Sequence, residues 1–144
     1  MNNKGLTLVE LLAVIVILGV VATIGGVGIT AVKRNIDVKA TADKVSLALG
    51  GVSKWGQDNM EIVKSGLTIK TIGELIDEGY IETDLADGEI YNEVNGNSLR
   101  DLEVALYFVN RRVYTCVYED NSLLGEEVIK VLRANESICP QFLI

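Results

Sequence analysis

The stretch Lys4–Gly19, KGLTLVELLAVIVILG, decides how the rest of the chain is read. From Leu6 to Val32 the residues are apolar, small or hydroxyl-bearing, with one exception, the carboxylate of Glu10. Leu11–Val32 carries no charge and is long enough to cross a bilayer as a helix, which needs roughly 20 apolar residues. A charge inside such a span costs about 2.5–3.5 kcal/mol on insertion scales, so a carboxylate kept there is expected to have a partner and a task.

The flanks of the span are uneven. Met1–Gly5 hold a single charged side chain, Lys4, whereas Lys33, Arg34 and Lys39 follow the span, so counting positive charges does not settle its orientation. Three readings compete. A secretory signal peptide would use Leu11–Ile24 as its apolar core and Gly26 and Gly28 near a cleavage site, but Glu10 interrupts the start of that core. No cysteine follows the apolar run, which excludes a lipoprotein. A plain single-pass anchor accounts for the length and leaves Glu10 unexplained.

The third reading rests on a resemblance. Lys4-Gly5 followed by Leu6–Gly19 is similar to the processing site and N-terminal helix of type IV prepilins and pseudopilins, on Gly5, Thr7, Leu8, Glu10, Leu11 and Gly19. The resemblance covers about the first 25 residues. It implies that a prepilin peptidase cuts between Gly5 and Leu6 and methylates the new amine at Leu6, where the family most often has Phe. It also implies that the helix anchors the subunit in the membrane until it is drawn into a filament. The new ammonium would stand four residues before Glu10 and so on the same helical face. In low dielectric the two charges attract and relieve each other's desolvation. The resemblance places that pair between Glu10 and the Leu6 amine of a neighbouring subunit. Where many pilins have a proline this chain has Val27, amid Gly25, Gly26 and Gly28; that cluster either softens the helix or lets helices pack closely.

Beyond the span the composition is that of a soluble domain. Lys4 and Glu10 cancel, so the net charge of −7 lies wholly beyond Val32. This balance argues against direct nucleic-acid binding, which needs a basic face. The chain has no histidine, which removes Ser-His and Cys-His catalytic pairs and His-based metal sites, and no phosphate loop or nucleophile–base pair is visible. An enzyme is not expected. Cys116 and Cys139 are the two cysteines. An exported domain favours one disulfide between them, worth roughly 3 kcal/mol for a loop of this size, over two separate buried thiols.

From Val32 to about Val63 the apolar residues Val32, Ile36, Ala40, Val45, Leu49, Val52, Trp55 and Ile62 recur at helical spacings. Joined to the span they predict one helix of roughly 58 residues, about 85 Å if unbroken, ending at Ser65-Gly66. Thr71-Ile72-Gly73-Glu74 reads as a capping-box start and Gly79 as a stop. Thr71–Ile81 is similar to a short helix of many Gram-positive pilins. Glu74, Asp77, Glu78, Glu82, Asp84, Asp87, Glu89 and Glu93 follow one another without Lys or Arg. Such a run is usually a solvated face, and Asp84, Asp87 and Glu89 around Gly88 are the candidate ligands for a Ca²⁺ ion, the one cofactor considered.

Asn95-Gly96 predicts a type I′ turn, and Leu99–Val109 and Arg111–Tyr118 predict two strands joined tightly near Asn110. In the second, Tyr114, Cys116 and Tyr118 share one face and Val113, Thr115 and Val117 the other. Leu123–Ala134 fits a helix better than a strand, and Cys139 is expected to tie the tail to the central strand. The resemblance makes Ser122–Ile138 the candidate contact loop.

The expectation is an α+β, pilin-like chain, with a long N-terminal helix, transmembrane in its first half, packed on a small antiparallel sheet. Residues 1–5 are a leader, 6–32 the membrane and assembly half of the helix, and 33–144 the exported domain. The implied function is that of a structural subunit of a type IV pilus or related filament, held in the membrane before assembly and at the cell surface afterwards. Its partners would be other copies or other pilins and the peptidase. The alternatives are a pseudopilin of type II secretion or DNA uptake, and a membrane-tethered binding ectodomain.

Overall fold

The computed structural model describes residues 5–83, 86–118 and 122–143, with the backbone alone described at 25–27. Good helix formers and an apolar run without proline carry helix α1 from Leu8 to Asp58, unbroken across Gly25, Gly26 and Gly28. The expected continuation to about Val63 is interrupted. The Asn59 side-chain amide donates to the Trp55 carbonyl at 3.0 Å, and the Asn59 N–H reaches the same oxygen at 2.9 Å. That local competition ends α1, and a separate short helix α2 (Met60–Ser65) follows. The chain divides into two compact units, Met1–Ile36 and Asp37–Ile144.

In the first unit the described side chains of α1 are exposed around the whole helix, Leu8 at 80% and Ile24 at 71%. α1 is long and apolar enough to cross a membrane. Thr23, a polar residue within the apolar run, donates its hydroxyl to the Val20 carbonyl at 2.8 Å, so it presents no unsatisfied group.

The second unit is built on the outer part of α1. Val38, Ala42, Val45, Leu49, Val52 and Trp55, spaced three and four apart, form its buried stripe. They share one core with the inner face of a three-stranded antiparallel sheet in the order β1 (Thr68–Thr71), β2 (Glu103–Val109), β3 (Arg112–Val117). Val104, Leu106, Val113 and Val117 face that core, while Ala105, Tyr107, Cys116 and Tyr118 form a second cluster on the other face. The alternation expected for β3 is therefore the one observed. Two glycines let α1 approach closely. A Cβ on Gly51 would stand 2.3 Å from the Tyr80 carbonyl, and one on Gly56 would stand 2.8 Å from Leu106 Cδ2.

β1 is a strand the sequence reading did not include; Thr68 pairs with Leu106 and Thr71 with Glu103. β2 starts later than expected, because Leu99–Leu102 folds as a turn, with Leu102 N–H donating to Leu99 O at 3.1 Å. The type I′ turn is also misplaced. Asn110 and Arg111 both have positive φ (51° and 64°) between the paired Val109 and Arg112, as a two-residue I′ turn requires. At the predicted site Gly96 alone has positive φ, and its N–H reaches back to Asn92 O at 2.7 Å.

Helix α3 (Ile72–Asp77) has the expected capping box, with Thr71 Oγ1 accepting from Glu74 N–H at 3.2 Å and Glu74 Oε2 from Thr71 N–H at 3.0 Å. It ends in a Schellman motif: Tyr80 N–H bonds Leu75 O, Gly79 N–H bonds Ile76 O, and Gly79 has φ 82°. Helix α4 (Glu126–Ala134) buries Val128, Ile129 and Leu132, as expected from their spacing, and closes with the same motif around Glu136. The chain then runs back parallel to β3, where Ile138 pairs with Val117, and finishes in a 3₁₀ turn at Gln141–Leu143. The tail is tied to β3, an outer strand of the three, and not to the central strand, because the parallel return from α4 lands on the open side of β3.

Candidate functional site

The candidate site is the segment around Gly5, Leu6 and Glu10. Thr7 is the residue before the first helical position of α1, and Glu10 is the third residue inside it. Glu10 Oε2 accepts from Thr7 N–H at 2.9 Å and from Thr7 Oγ1 at 3.1 Å, and Thr7 Oγ1 faces Glu10 N–H at 3.3 Å. This is a reciprocal capping box, in which two helix-end donors find side-chain acceptors. A carboxylate in the first turn also lies against the positive end of the helix dipole. Glu10 is therefore partnered before any cleavage.

The geometry corrects the same-face argument. Gly5, Leu6 and Thr7 lie outside the helix and are exposed, so Leu6 and Glu10 are not one helical turn apart in this chain. A new ammonium at Leu6 would instead arise one residue before the N–H that already holds the carboxylate. The signal for this cap is in the sequence and goes beyond the family pattern: Thr7-Leu8-Val9-Glu10 has the same Thr-x-x-Glu form as Thr71–Glu74.

The other candidate residues lie in the second unit. Cys116 and Cys139 form a disulfide, with Cα atoms 4.9 Å apart. Cys116 faces Ala105 on β2, and Cys139 N–H donates to Val117 O at 2.9 Å, so the bridge and the strand pairing fasten the same point. Asp84 lies outside the described residues. Asp87 Oδ1 accepts from Glu89 N–H at 3.0 Å and Oδ2 from the Tyr91 hydroxyl at 3.1 Å, a bond that raises the tyrosine's pKa. Glu89 bonds the Ser98 hydroxyl and lies 3.8 Å from Arg100 Nε.

Arg100 organises this acidic region. One guanidinium nitrogen bonds both Asp77 oxygens at 2.8 Å, and the other bonds Gly88 O at 3.1 Å. The bond to Asp77 raises the arginine's pKa above its usual value, against a smaller opposing effect of burial. Nearby, Glu78 joins three elements. Its carboxylate accepts from Lys70 at 2.9 Å and from the Trp55 indole N–H at 2.6 Å, and the Lys70 bond lowers its pKa.

Asn92 is the buried polar centre. Its Nδ2 donates to Leu123 O at 2.8 Å and Leu124 O at 3.0 Å, while its Oδ1 accepts from Val94 N–H and from Thr41 Oγ1 on α1. These contacts join α1, the 90–99 loop and the segment before α4, with the single Thr41 hydroxyl proton shared between Asn92 Oδ1 at 3.3 Å and the Asp37 carbonyl at 2.9 Å.

Residues 1–32 match the family model described as the prokaryotic N-terminal methylation motif. That motif is characteristic of type IV pilin and prepilin-like proteins. The match ends at residue 32, within the first unit. The chain has no match among the curated proteins or the solved structures.

Proposed function

We propose that this chain is a structural subunit of a type IV pilus or a related filament, cut after Gly5 and assembled through α1. The observation that carries the reading is the methylation motif over residues 1–32, laid on an apolar helix whose one carboxylate, Glu10, sits at its start. Held against Thr7 through Oε2, Glu10 stays oriented while the subunit waits in the membrane. Removal of the leader then supplies a cation for it, on the same chain or on a neighbour. Because the capping box already satisfies part of the carboxylate, the pairing acts mainly to set register between subunits. The α+β second unit is the exported body that a filament of this kind would display.

Mass analysis of the N-terminus of the exported protein tests the processing step. The expected product starts at Leu6 and is N-methylated; a product starting at Met1 or Ile29 overturns it. Replacement Glu10→Ala is expected to leave a stable membrane subunit that assembles poorly, and normal filaments from that variant would remove the register role. Imaging cells with and without the protein separates a surface pilus, seen as fibres, from a pseudopilus.

A further inference from the structure

The second unit carries opposite charges at the two ends of β2. At one end is the β2–β3 turn. Arg111 and Arg112 are adjacent and exposed there, and neither has an ion-pair partner among the described residues. Lys64 lies beside them, 5.9 Å from the ring centroid of Phe108 and paired with Glu61. At the other end, where Glu103 meets Thr71, lies the acidic run gathered by Arg100, with Glu82 and Asp101 exposed. β2 has six residue steps from Glu103 to Val109, about 20 Å at strand rise, so the two ends do not neutralise each other within one subunit.

The turn itself points to a use for the arginines. Both turn positions have positive φ, where Asn and Gly fit and a long side chain is disfavoured. Asn110 fits this pattern, but Arg111 stands where glycine would be the easier residue. An exposed cation held at a disfavoured φ, without an ion pair among the described residues, suggests a contact outside the chain. Beside it Tyr114 is partly exposed and stacks on Tyr107 at 5.5 Å, giving the charged tip a firm apolar floor.

We infer that the β2–β3 turn docks onto the acidic end of a second copy of this chain, head to tail. A basic end meeting an acidic end is a heterologous contact, and repeated contacts of that kind build an open filament and not a closed dimer. The partner is another copy because each copy presents the complementary acidic end. This inference rests on the filament reading and adds to it a specific surface in the exported unit, distinct from α1.

The test uses the full chain in cells whose filaments depend on it, with sheared filament yield measured per membrane-held subunit. The reversal R111E/R112E is expected to lower the yield about tenfold, since like charges placed together at an interface cost well over the 1.4 kcal/mol that a factor of ten represents. E82K/D101K is expected to do the same, and the four substitutions together to recover the yield to within about threefold. The neutral pair R111G/R112Q, with glycine suited to the turn, controls for folding and is also expected to lower the yield. Wild-type filament yield from R111E/R112E overturns the inference, as does a fourfold variant no better than either double. If the reversal spares filaments but abolishes their retention on DNA or an anionic wall polymer, the tip serves that polymer and the inference is again overturned. A wild-type chain that is neither cut at Gly5 nor assembled removes the filament reading, and this one with it.

Discussion

Replacing Asn92 by Asp tests the polar centre of the second unit with almost no change of shape. Asn92 is fully buried, and its amide nitrogen donates to the carbonyls of Leu123 and Leu124. An aspartate keeps the oxygen that faces Val94 N–H and Thr41, but turns the other group into an acceptor facing two carbonyls. Each buried carbonyl deprived of its donor costs about 1–3 kcal/mol, so the loss is about 2–6 kcal/mol from a total stability of about 5–15 kcal/mol. With a urea m-value of about 1.5 kcal/mol/M, a loss of 4 kcal/mol would lower the midpoint by about 2–3 M, read through the fluorescence of the single tryptophan, Trp55. Burial among carbonyls raises the folded pKa of the new carboxyl above its unfolded value. The N92D protein is therefore relatively more stable below the unfolded pKa, where its OH can donate to one carbonyl, and loses that stability as pH rises through the folded pKa. A neutral-pH midpoint within about 0.5 M of wild type, or a penalty independent of pH, would refute the assignment of Asn92 as the link between α1, the 90–99 loop and α4.

Gly51→Ala places a Cβ 2.3 Å from the Tyr80 carbonyl and is expected to cost more than the 1–3 kcal/mol typical of overpacking, about 3 kcal/mol or above, by the same urea titration. Arg111→Gly relieves a positive φ of 64° and is expected to raise thermal stability by about 1 kcal/mol, seen as a higher melting temperature. Cys116→Ser with Cys139→Ser opens the loop between β3 and the tail and is expected to cost about 3 kcal/mol, with proteolysis entering first between residues 122 and 139.

The parts of the fold that were legible in the sequence share one property: their signals are local and carried by residue types that have few other uses. Thr71–Glu74 with Gly79 is such a signal, and both ends of α3 form as expected. The spacing of Val128, Ile129 and Leu132 is another. β1 was not legible because Thr68–Thr71 is four residues long and owes its strand form to pairing with β2, more than thirty positions away. The turn was misplaced because Asn95-Gly96 has the favoured composition, whereas Asn110-Arg111 adopts the I′ form under the pull of two strands already in register. At the candidate site the motif makes Gly5, Leu6 and Glu10 legible, while the cap on Glu10 is legible only from the Thr-x-x-Glu pattern at the helix start. The partner in this chain is Thr7, three residues away. Asn92 gave no signal, since one asparagine in an acidic run looks like any solvated residue until the fold buries it.

The placement of α1 has a consequence for how the second unit comes to be folded. On the filament reading proposed above, the stripe from Val38 to Trp55 would leave the membrane before Leu106, Val113 and Val117, which cover it and lie some fifty or more residues later in the chain. For that interval an amphipathic helix would stand beside the bilayer with its apolar side unpaired, and the lipid surface would be the nearest cover for it. Folding would then amount to peeling the helix off that surface as β2 and β3 arrive, with the Cys116–Cys139 bond closing behind the last strand. The membrane would act on this chain as a chaperone before it acts as an anchor.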